Sequence, residues 1–356
     1  MKRLGSVVAM VIGLAGALGG SASAQVPLKL VTRFAMPATV AGRFDHLSVD
    51  TRGHRLFVAA ETSHAVLVFD LRTGTLVHTI GGIQIPHAVF CREDLNRLYI
   101  TDGGEGTLKI YDGRTYQLLK TVPLKVDADS VTYDAATHDL YIVNGGGDAH
   151  ETFSMVSAVN TTSGEKVAEM KIDGRTLEAM AIERGSDRLY VNNAANNLID
   201  VVDRKTHTLV TTWPVTGCEH NVAMALDAST HRLFTACRSG AIAVFDTSTG
   251  RQLQTFAIGK GVDDLVFDPA SRRLYAACGA DGGATFVYRE EDPDHYTLVG
   301  QVPSGPGGKN EALVPSAARL YITVPPREGT PGAVYVFRVQ GAAHHRGGRR
   351  GEGRNR

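Results

Sequence analysis

The sequence contains no stretch in which apolar residues recur at the i, i+3, i+4 and i+7 positions of a substantial helix, and this absence favours an all-β fold. It has no excess of charge of either sign, because 37 Lys and Arg residues balance 37 Asp and Glu residues. The net charge therefore creates no positive electrostatic field that would favour a nucleic-acid partner. The motifs of a serine nucleophile, of covalently attached haem and of a phosphate-binding loop are also missing. The chain thus carries no haem or nucleotide signature.

What the chain does contain is a short motif, Arg or Asp followed by Leu and an aromatic residue, that recurs seven times. The leucines of the seven copies are Leu56, Leu98, Leu140, Leu189, Leu233, Leu274 and Leu320. Successive leucines are 42, 42, 49, 44, 41 and 46 residues apart, which is the period of a four-stranded propeller blade rather than of a helical solenoid unit. The repeat therefore predicts a seven-bladed β-propeller.

Each repeat divides into four strands with turn residues between them. In the first repeat we predict an inner strand at residues 45–50 and further strands at residues 55–60, 65–70 and 76–80. The seventh repeat has only three strands, at residues 311–314, 319–324 and 333–339. Residues 28–34 have the pattern of a fourth strand but no blade of their own, so we predict that this N-terminal strand completes the last blade and closes the ring.

Two copies of the repeat read Tyr99-Ile100-Thr101-Asp102 and Tyr190-Val191-Asn192-Asn193. They resemble the Tyr-Val-Thr-Asn signature of YVTN propeller repeats, and residues 28–340 resemble the bacterial YncE-like proteins. Repeat five departs from the signature with Phe234-Thr235-Ala236-Cys237, and repeat seven runs into Pro325-Pro326. The resemblance implies a seven-bladed, WD40-like propeller exported to the cell envelope. It implies no reaction, because propellers host binding, scaffolding, lyase and hydrolase functions alike.

The two ends of the chain differ from the repeats. Residues 1–24 combine Lys2 and Arg3 with a short apolar run and end in Ala22-Ser23-Ala24, which predicts a secretory signal peptide cleaved before Gln25. Residues 341–356 are rich in Arg and Gly, typical of a disordered basic tail, with an anchor for anionic envelope surfaces as the alternative. We therefore expect a propeller at residues 25–340 in a monomeric, periplasmic or secreted protein without a transmembrane segment after cleavage.

Polar residues share one register across the repeats. The position eleven residues before each repeat leucine is charged or His in six of the seven copies. In a propeller this position begins the inner strand, where the blades converge on the mouth of the axial channel. The fifth copy has Val222 there, but polar residues precede it, and other polar residues adjoin the register elsewhere. The predicted axial ring comprises Asp45, His46, His87, Asp129, Glu178, His220, Asn221, Asp263, Lys309 and Glu311, with Asp264 and Asn310 beside it.

Three interpretations of this ring stay open. Its side chains can order the channel through hydrogen bonds to backbone groups and water. They can hold a cation, since the three histidines suit Zn while the carboxylates suit Ca or Mg, although no recognised metal-binding spacing supports this. They can also form a pocket for a small ligand. Two long loops, at residues 144–151 and 325–331, are expected on the same face, as binding loops or as solvated insertions.

The four cysteines are Cys91, Cys218, Cys237 and Cys278. Cys237 and Cys278 occupy equivalent positions in adjacent blades, whose sheets lie about 10 Å apart, too far for a disulfide. Cys218 precedes the inner strand of blade 5 and Cys237 ends its second strand, so this pair is the candidate disulfide, while Cys91 is expected to be buried. The single tryptophan, Trp213, argues against the Trp-rich blades of quinone-cofactor dehydrogenases.

Together these features favour an exported propeller that acts as a binding or scaffolding module through its axial mouth, with no catalytic residue assigned. The expected partner is a small molecule or an envelope protein. The alternative is a metal-dependent hydrolase or lyase, similar to a lactonase, that acts on a small molecule at the same mouth.

Overall fold

A computed structural model describes residues 26–341. Within these residues the chain forms 28 β-strands arranged as seven antiparallel four-stranded sheets, and two short 3-10 helices at Glu61–Ser63 and Pro315–Ala317. Inner strands of successive sheets lie next to one another, and the sheet of the last repeat lies beside that of the first. The molecule is therefore the seven-bladed β-propeller that the repeats predict.

The strands follow one another from the axis to the rim in blades 1 to 6. Blade 1 comprises β2 (Leu47–Asp50), β3 (Arg55–Ala60), β4 (Ala65–Asp70) and β5 (Leu76–Ile80). Blade 2 comprises β6 (Pro86–Arg92), β7 (Arg97–Asp102), β8 (Thr107–Asp112) and β9 (Leu118–Pro123). Blade 3 comprises β10 (Val131–Asp134), β11 (Asp139–Gly145), β12 (Phe153–Asn160) and β13 (Glu165–Asp173). Blade 4 comprises β14 (Leu177–Ile182), β15 (Arg188–Asn193), β16 (Leu198–Asp203) and β17 (Thr208–Pro214).

The remaining blades repeat this order. Blade 5 comprises β18 (Asn221–Asp227), β19 (Arg232–Cys237), β20 (Ala241–Asp246) and β21 (Arg251–Ala257). Blade 6 comprises β22 (Val262–Asp268), β23 (Arg273–Cys278), β24 (Ala284–Asp292) and β25 (His295–Pro303). Blade 7 comprises β26 (Glu311–Val314), β27 (Arg319–Val324), β28 (Ala333–Val339) and β1 (Leu28–Ala35). The strands predicted for blade 7 agree with these bounds, whereas the inner strand of blade 1 begins at Leu47 rather than Asp45.

The N-terminal strand completes the last blade. β1 pairs antiparallel with β28, from Leu28 opposite Val339 to Ala35 opposite Ala333, and this sheet has the order β1-β28-β27-β26. Because first and last segments share one sheet, the ring cannot open between blades 7 and 1 without breaking these hydrogen bonds. The predicted closure is confirmed.

The core lies between neighbouring blades. One cluster, for example, packs Phe57 and Val68 of blade 1 against Leu98 and Ile100 of blade 2. The leucine of each repeat is at most 1% exposed, and the aromatic residue that follows it at most 5%. Burial of each such side chain stabilises the fold by about 1.5–3 kcal/mol. The repeated Leu-aromatic pair therefore joins one blade to the next.

The arginine that precedes the repeat leucine also has a role between blades. Arg97 of blade 2 donates to the carbonyl of Thr162 in the outer turn of blade 3, at 3.0 Å. Arg273 of blade 6 donates to Gln340 O at the end of blade 7, at 2.6 Å. The other arginines with such a bond to the next blade are Arg55 to Gly113, Arg188 to Thr247 and Arg232 to Pro293. These bonds satisfy turn carbonyls and hold adjacent blades in register.

Cys218 and Cys237, the candidate pair, form a disulfide with a Cα–Cα distance of 5.8 Å. Cys278 is buried, but Cys91 on β6 is only partly buried, contrary to expectation. Its side chain packs against the cluster between blades 1 and 2 and borders an open cavity with Asp50, Arg55 and Asn96, which leaves it partly accessible.

The predicted signal peptide at residues 1–24 lies outside the described residues, as does the predicted tail at residues 341–356 except for Gly341. Within residues 26–341 no helix is long and apolar enough to cross a membrane.

Candidate functional site

An irregular backbone at the start of each inner strand positions the ring residues. In blade 1, Asp45 N donates to Ala59 O at 2.9 Å, and Ala59 N donates to His46 O at 3.3 Å. Two consecutive residues thus face one residue of the second strand, which is a β-bulge. The pairing shifts in the same place in blades 2, 4, 5 and 6. Because a bulge re-aims side chains, two successive residues of one blade can point toward the mouth.

Blades 1, 2 and 3 contribute two histidines and two aspartates to one side of the ring. His87 Nδ1 lies 2.6 Å from Asp45 Oδ2. His46 Nε2 lies 3.8 Å from Asp45 Oδ1 and 3.9 Å from Asp129 Oδ1. Asp129 Oδ1 is buried and has no hydrogen-bond partner among residues 26–341. This side of the ring therefore holds a polar atom whose bonding capacity is unused.

Blades 4 to 7 contribute the other side. Asp263 accepts from Lys309 Nζ at 2.5 Å and from Arg238 Nη2 at 2.6 Å. Glu178 lies farther from the same guanidinium, at 3.9 Å. Asn310 Nδ2 donates to Asp263 Oδ2 at 3.1 Å. Burial would raise the pKa of Asp263, but the two cationic side chains of this half, Lys309 and Arg238, lower it and favour the ionised carboxylate.

The two sides form one network. His46 Nδ1 lies 2.9 Å from Asp264 Oδ1, and Asn310 Nδ2 lies 3.4 Å from Asp45 Oδ1. Asp264 Oδ2 in turn accepts the backbone N–H of Glu311, at 3.0 Å. All seven blades therefore contribute a side chain to the network around the mouth of the channel, the carboxylates of blades 3 and 4 through contacts of 3.9 Å.

Burial and close charges shift the pKa values of the ring. Burial would raise the pKa of Asp45, but His46 and His87 hold it below its usual range. Burial would lower the pKa of His87, but Asp129 and Asp45 raise it to about 10. Burial raises the pKa of Glu178 to about 8, with Asp129 adding to the rise. Perturbed groups concentrated in a concave region are typical of functional sites.

Three predicted ring members are placed differently from the others. His220 is exposed and makes no side-chain contact with the ring within the described part of the chain. Asn221 is fully buried, and its Nδ2 donates to Asn192 Oδ1 at 2.8 Å, so it joins blades 4 and 5. Glu311 is 4% exposed and reaches the ring through its backbone N–H, while burial and Asp264 raise the pKa of its carboxyl well above the usual value. In blade 5 the bulge begins at Val222, so His220 and Asn221 precede it and lie outside the ring.

Sequence reasoning did not identify three residues of the mouth. Arg238 follows the second strand of blade 5, at a position where blades 2, 3 and 6 have Gly, and this replacement is a usable signal. Asp127 lies near Asp129, and burial with that neighbouring charge raises its pKa to about 7. Ser130 Oγ lies 3.3 Å from His46 Nε2. Ser130 is adjacent to the ring residue Asp129 in the sequence, but only the bulge geometry brings its side chain to the mouth.

Two cavities adjoin the network. One of about 330 Å³ lies in the channel, and its lining includes His46, Phe90, Met180 and Met224. Another of about 280 Å³ lies at the mouth between blades 6 and 7. The second shares Lys309 with the ring but is otherwise bordered largely by glycine and apolar residues. A charged network therefore lies beside space that suits an apolar group.

The long loop of blade 3 is attached near the same mouth. Gly147 N donates to Arg175 O at 2.8 Å, and Glu151 pairs with Lys125 at 2.6 Å. The charge of Asp148 contributes to the raised pKa of Asp127. The loop thus lies close enough to influence the ring.

Comparisons with known proteins agree with this architecture. No family model matches the chain. YncE of Salmonella typhi, described as an uncharacterized protein, is 31% identical over 99 residues, which are 28% of this chain and 28% of YncE. YncE of Salmonella typhimurium matches over the same length with the same identity. The chain thus spans about 28% of the length of the curated relatives it matches.

A solved structure extends the comparison of folds to nearly the whole chain. A chain in the crystal structure of the mitotic checkpoint complex superposes with a TM-score of 0.69 over 95% of this chain and 99% of its own length. Its sequence identity is 14%, so the likeness shows the fold alone. The protein is a seven-bladed β-propeller with a local sequence similarity to YncE.

Proposed function

We propose that the protein is an exported propeller that binds a small organic ligand at its axial mouth. The observation that carries this proposal is the buried, unpartnered Oδ1 atom of Asp129 within a ring of charged side chains. A buried polar atom without a partner costs about 1–3 kcal/mol. A ligand that supplies a donor there would recover this free energy.

The contacts of the ring support a binding role over a purely structural one. Side chains that serve only to order a channel would accept hydrogen bonds from backbone N–H groups. Within residues 26–341 the carboxylates of Asp45, Asp129 and Asp263 accept none. Asp45 and Asp263 accept from other side chains instead, and the nearest partner of Asp129 is His46 at 3.9 Å. The energies of these interactions depend on which charges a ligand brings.

The adjacent cavity indicates the chemistry of the ligand. Its border includes Phe44, Ala280 and Pro325, and Lys309 and Asn310 lie between it and the ring. The ligand would place an apolar portion in this cavity and a hydrogen-bond acceptor near Lys309. A donor on the same ligand would extend across the mouth to Asp129 Oδ1. A volume of about 280 Å³ lies just below the range of roughly 300–1,000 Å³ that is usual for ligand pockets, so the ligand is a small molecule.

Export is supported by the sequence at residues 1–24. N-terminal sequencing of protein purified from the periplasm or culture medium tests it. A mature N-terminus at Gln25 is expected, and an N-terminus at Met1 in the cytoplasmic fraction would contradict export.

The binding proposal is tested by thermal unfolding of the mature protein against a panel of small organic acids, alcohols and lactones. A ligand at a hundred times its Kd stabilises the native state by about 2.7 kcal/mol. The variant Ala280→Leu narrows the cavity at the mouth and should reduce the shift. The control Ala135→Leu changes an exposed residue on the opposite face and should not. Equal ligand-induced shifts of the Tm in both variants would show that the ligand binds outside this cavity. Recovery of a tightly bound envelope protein, without a Tm shift for any compound of the panel, would favour a scaffold.

A second candidate function is that of a metal-dependent hydrolase or lyase that acts on a small molecule at the same mouth. It is favoured by the side chains of Asp45, His46 and Asp129, each of which offers one donor atom within 4.8 Å of the others. Turnover of a lactone panel that requires an added divalent cation would support the enzyme. Binding of the same compounds without turnover would support the binding module.

A further inference from the structure

We propose that the ring binds one first-row transition-metal dication, with Zn²⁺ as its representative, through Asp45, His46 and Asp129. This inference rests on the proposed function in that both use the axial mouth. It adds a specific ligand set to that mouth.

The separations of the donor atoms suit one shared ion. His46 Nε2 is 3.8 Å from Asp45 Oδ1 and 3.9 Å from Asp129 Oδ1. These distances are too long for hydrogen bonds. They are below about 4.2 Å, which is the largest separation of two donors that each lie about 2.1 Å from the same Zn²⁺. An ion between these atoms would have all three within reach after small side-chain movements.

The orientation of His46 supports this assignment independently. Its Nδ1 lies 2.9 Å from Asp264 Oδ1, so a donated Nδ1–H leaves Nε2 with a lone pair on the side of the two carboxylates. Nε2 also lies 3.3 Å from Ser130 Oγ, and an ion would replace this hydrogen bond. Metal-binding histidines almost always donate their other ring N–H to a carboxylate, a backbone carbonyl or water, which fixes the tautomer and the orientation of the ring. Asp264 would therefore be a positioning residue for the metal ligand.

Asp129 supplies the second independent observation. Its Oδ1 is buried and has no hydrogen-bond partner in the described part of the chain, and the nearest imidazole nitrogens are 3.9 and 4.0 Å away. The side chains of His46 and Asp129 nevertheless remain 21% and 19% exposed, so an ion can enter from solvent. The unused oxygen is the atom that a cation would bind.

The donor set selects the class of metal. One imidazole and two carboxylates give three protein ligands, as in zinc sites that keep a position open for water or substrate. Ca²⁺ prefers six to eight oxygen ligands, and Mg²⁺ prefers octahedral oxygen coordination. Imidazole suits Zn²⁺ and its transition-metal neighbours.

A second group, formed by His87, Asp127 and Asp129, also brings donors within 4.8 Å. In this second group the nitrogen that faces Asp129 is His87 Nδ1, at 4.0 Å, and the same nitrogen is already engaged by Asp45 Oδ2 at 2.6 Å. In the first group the nitrogen that faces Asp129 is His46 Nε2, which no carboxylate of residues 26–341 engages at hydrogen-bond distance, so we favour the first group. In the proposed site His87 thus holds the carboxylate of Asp45 rather than the ion.

The test is titration of chelator-treated mature protein with Zn²⁺ by calorimetry, together with the absorption spectrum of Co²⁺-loaded protein. Wild type should bind one ion per chain, with visible Co²⁺ bands of four- or five-coordination. His46→Gln and Asp129→Asn should each weaken binding at least tenfold. The control His220→Gln, which alters an exposed histidine outside the ring, should bind like wild type.

Equal affinity in all four proteins, or no stoichiometric binding to wild type, would overturn the proposal. Circular dichroism identifies a variant that fails to fold, and the near-isosteric Asp129→Asn then carries the comparison. The small-molecule panel is repeated with and without Zn²⁺. Ligand shifts without metal binding would leave the proposed function intact while refuting the metal site. Metal binding without any ligand shift would support the metal site while contradicting the proposed binding of a small molecule.

Discussion

His46 and Asp264 are 218 residues apart in the sequence, yet His46 Nδ1 lies 2.9 Å from Asp264 Oδ1. His46 belongs to the bulge of blade 1 and Asp264 to that of blade 6. The contact therefore reaches past blade 7, which is possible only near the axis, where the seven inner strands converge. It makes the orientation of one imidazole depend on a distant blade.

This relationship predicts that Asp264→Ala lowers the affinity for Zn²⁺ by about 10- to 100-fold, the usual effect of losing a carboxylate behind a metal-binding histidine. Asp264→Asn should lower it less, because the amide oxygen still accepts from Nδ1–H. Competition with a chromogenic chelator measures both. Asp292→Ala is the matched control, since it removes an exposed aspartate 2.8 Å from His295 in the same blade. An equal loss in the control would contradict a positioning role for Asp264.

The closing strand predicts a large effect of Leu28. This side chain is 1% exposed and packs in the cluster that contains Leu320 and Phe337. Leu28→Ala should lower the free energy of unfolding by about 2–5 kcal/mol, whereas Lys29→Ala on the exposed side of the same strand should change it by less than about 0.5 kcal/mol. Chemical denaturation measures both values. Deletion of residues 25–35 should have a still larger effect, and a truncated protein that melts like the mature chain would show that β1 does not close the ring.

The disulfide predicts a redox-dependent stability. Cys218 and Cys237 are 19 residues apart, and closing a loop of this size stabilises the fold by about 3 kcal/mol in the chain-entropy description. Reductant should therefore lower the Tm of wild type and of Cys91→Ser. It should not lower that of the Cys218→Ser, Cys237→Ser double variant. Thiol titration of the denatured, unreduced protein should detect two of the four cysteines, and detection of all four would show that the bond does not form.

Asp200 predicts a pH dependence that can be separated from the ring. It is 1% exposed on β16, and burial raises the pKa of its carboxyl to about 6, although Asn193 Nδ2 donates to it at 2.9 Å. Between about pH 4 and 6 the native state holds this proton and the unfolded state does not, so stability falls as pH rises through that window. Above pH 6 the penalty is constant, at about 2–3 kcal/mol.

Asp200→Asn should therefore raise the free energy of unfolding by about this amount at pH 8 and leave it nearly unchanged at pH 4. The control Asp203→Asn, at the end of the same strand, should bring no gain at pH 8, because backbone N–H groups of Thr206 and Lys205 lower the pKa of Asp203 and favour its charged form. Denaturation at both pH values measures the difference. A gain of the same size at pH 4 would show that a change other than the loss of the carboxyl charge is responsible.

The amino-acid sequence was sufficient to predict the blades, because a propeller blade is built from consecutive hairpins. The distance from Leu56 to Leu98 and its later equivalents reports one complete blade, and the strand alternation reports which faces are buried. Residues 28–34 could be assigned to the last blade for the same reason, since that blade lacked one strand. The common register also predicted that Asp45, His87 and Asp263 would lie near one another.

Which ring residues interact, and through which atoms, was decided by the tertiary structure. The two-residue bulges brought His46 and Asp264 into the mouth beside Asp45 and Asp263, while in blade 5 the same device left His220 outside. The contact of Arg238 with Asp263 joins different blades and has no fixed spacing in sequence. Strand order and blade number follow from local hydrogen bonding, which sequence periodicity records. Side-chain pairing across the axis depends on the bulge geometry and on the closure of the whole ring, and no local pattern specifies either.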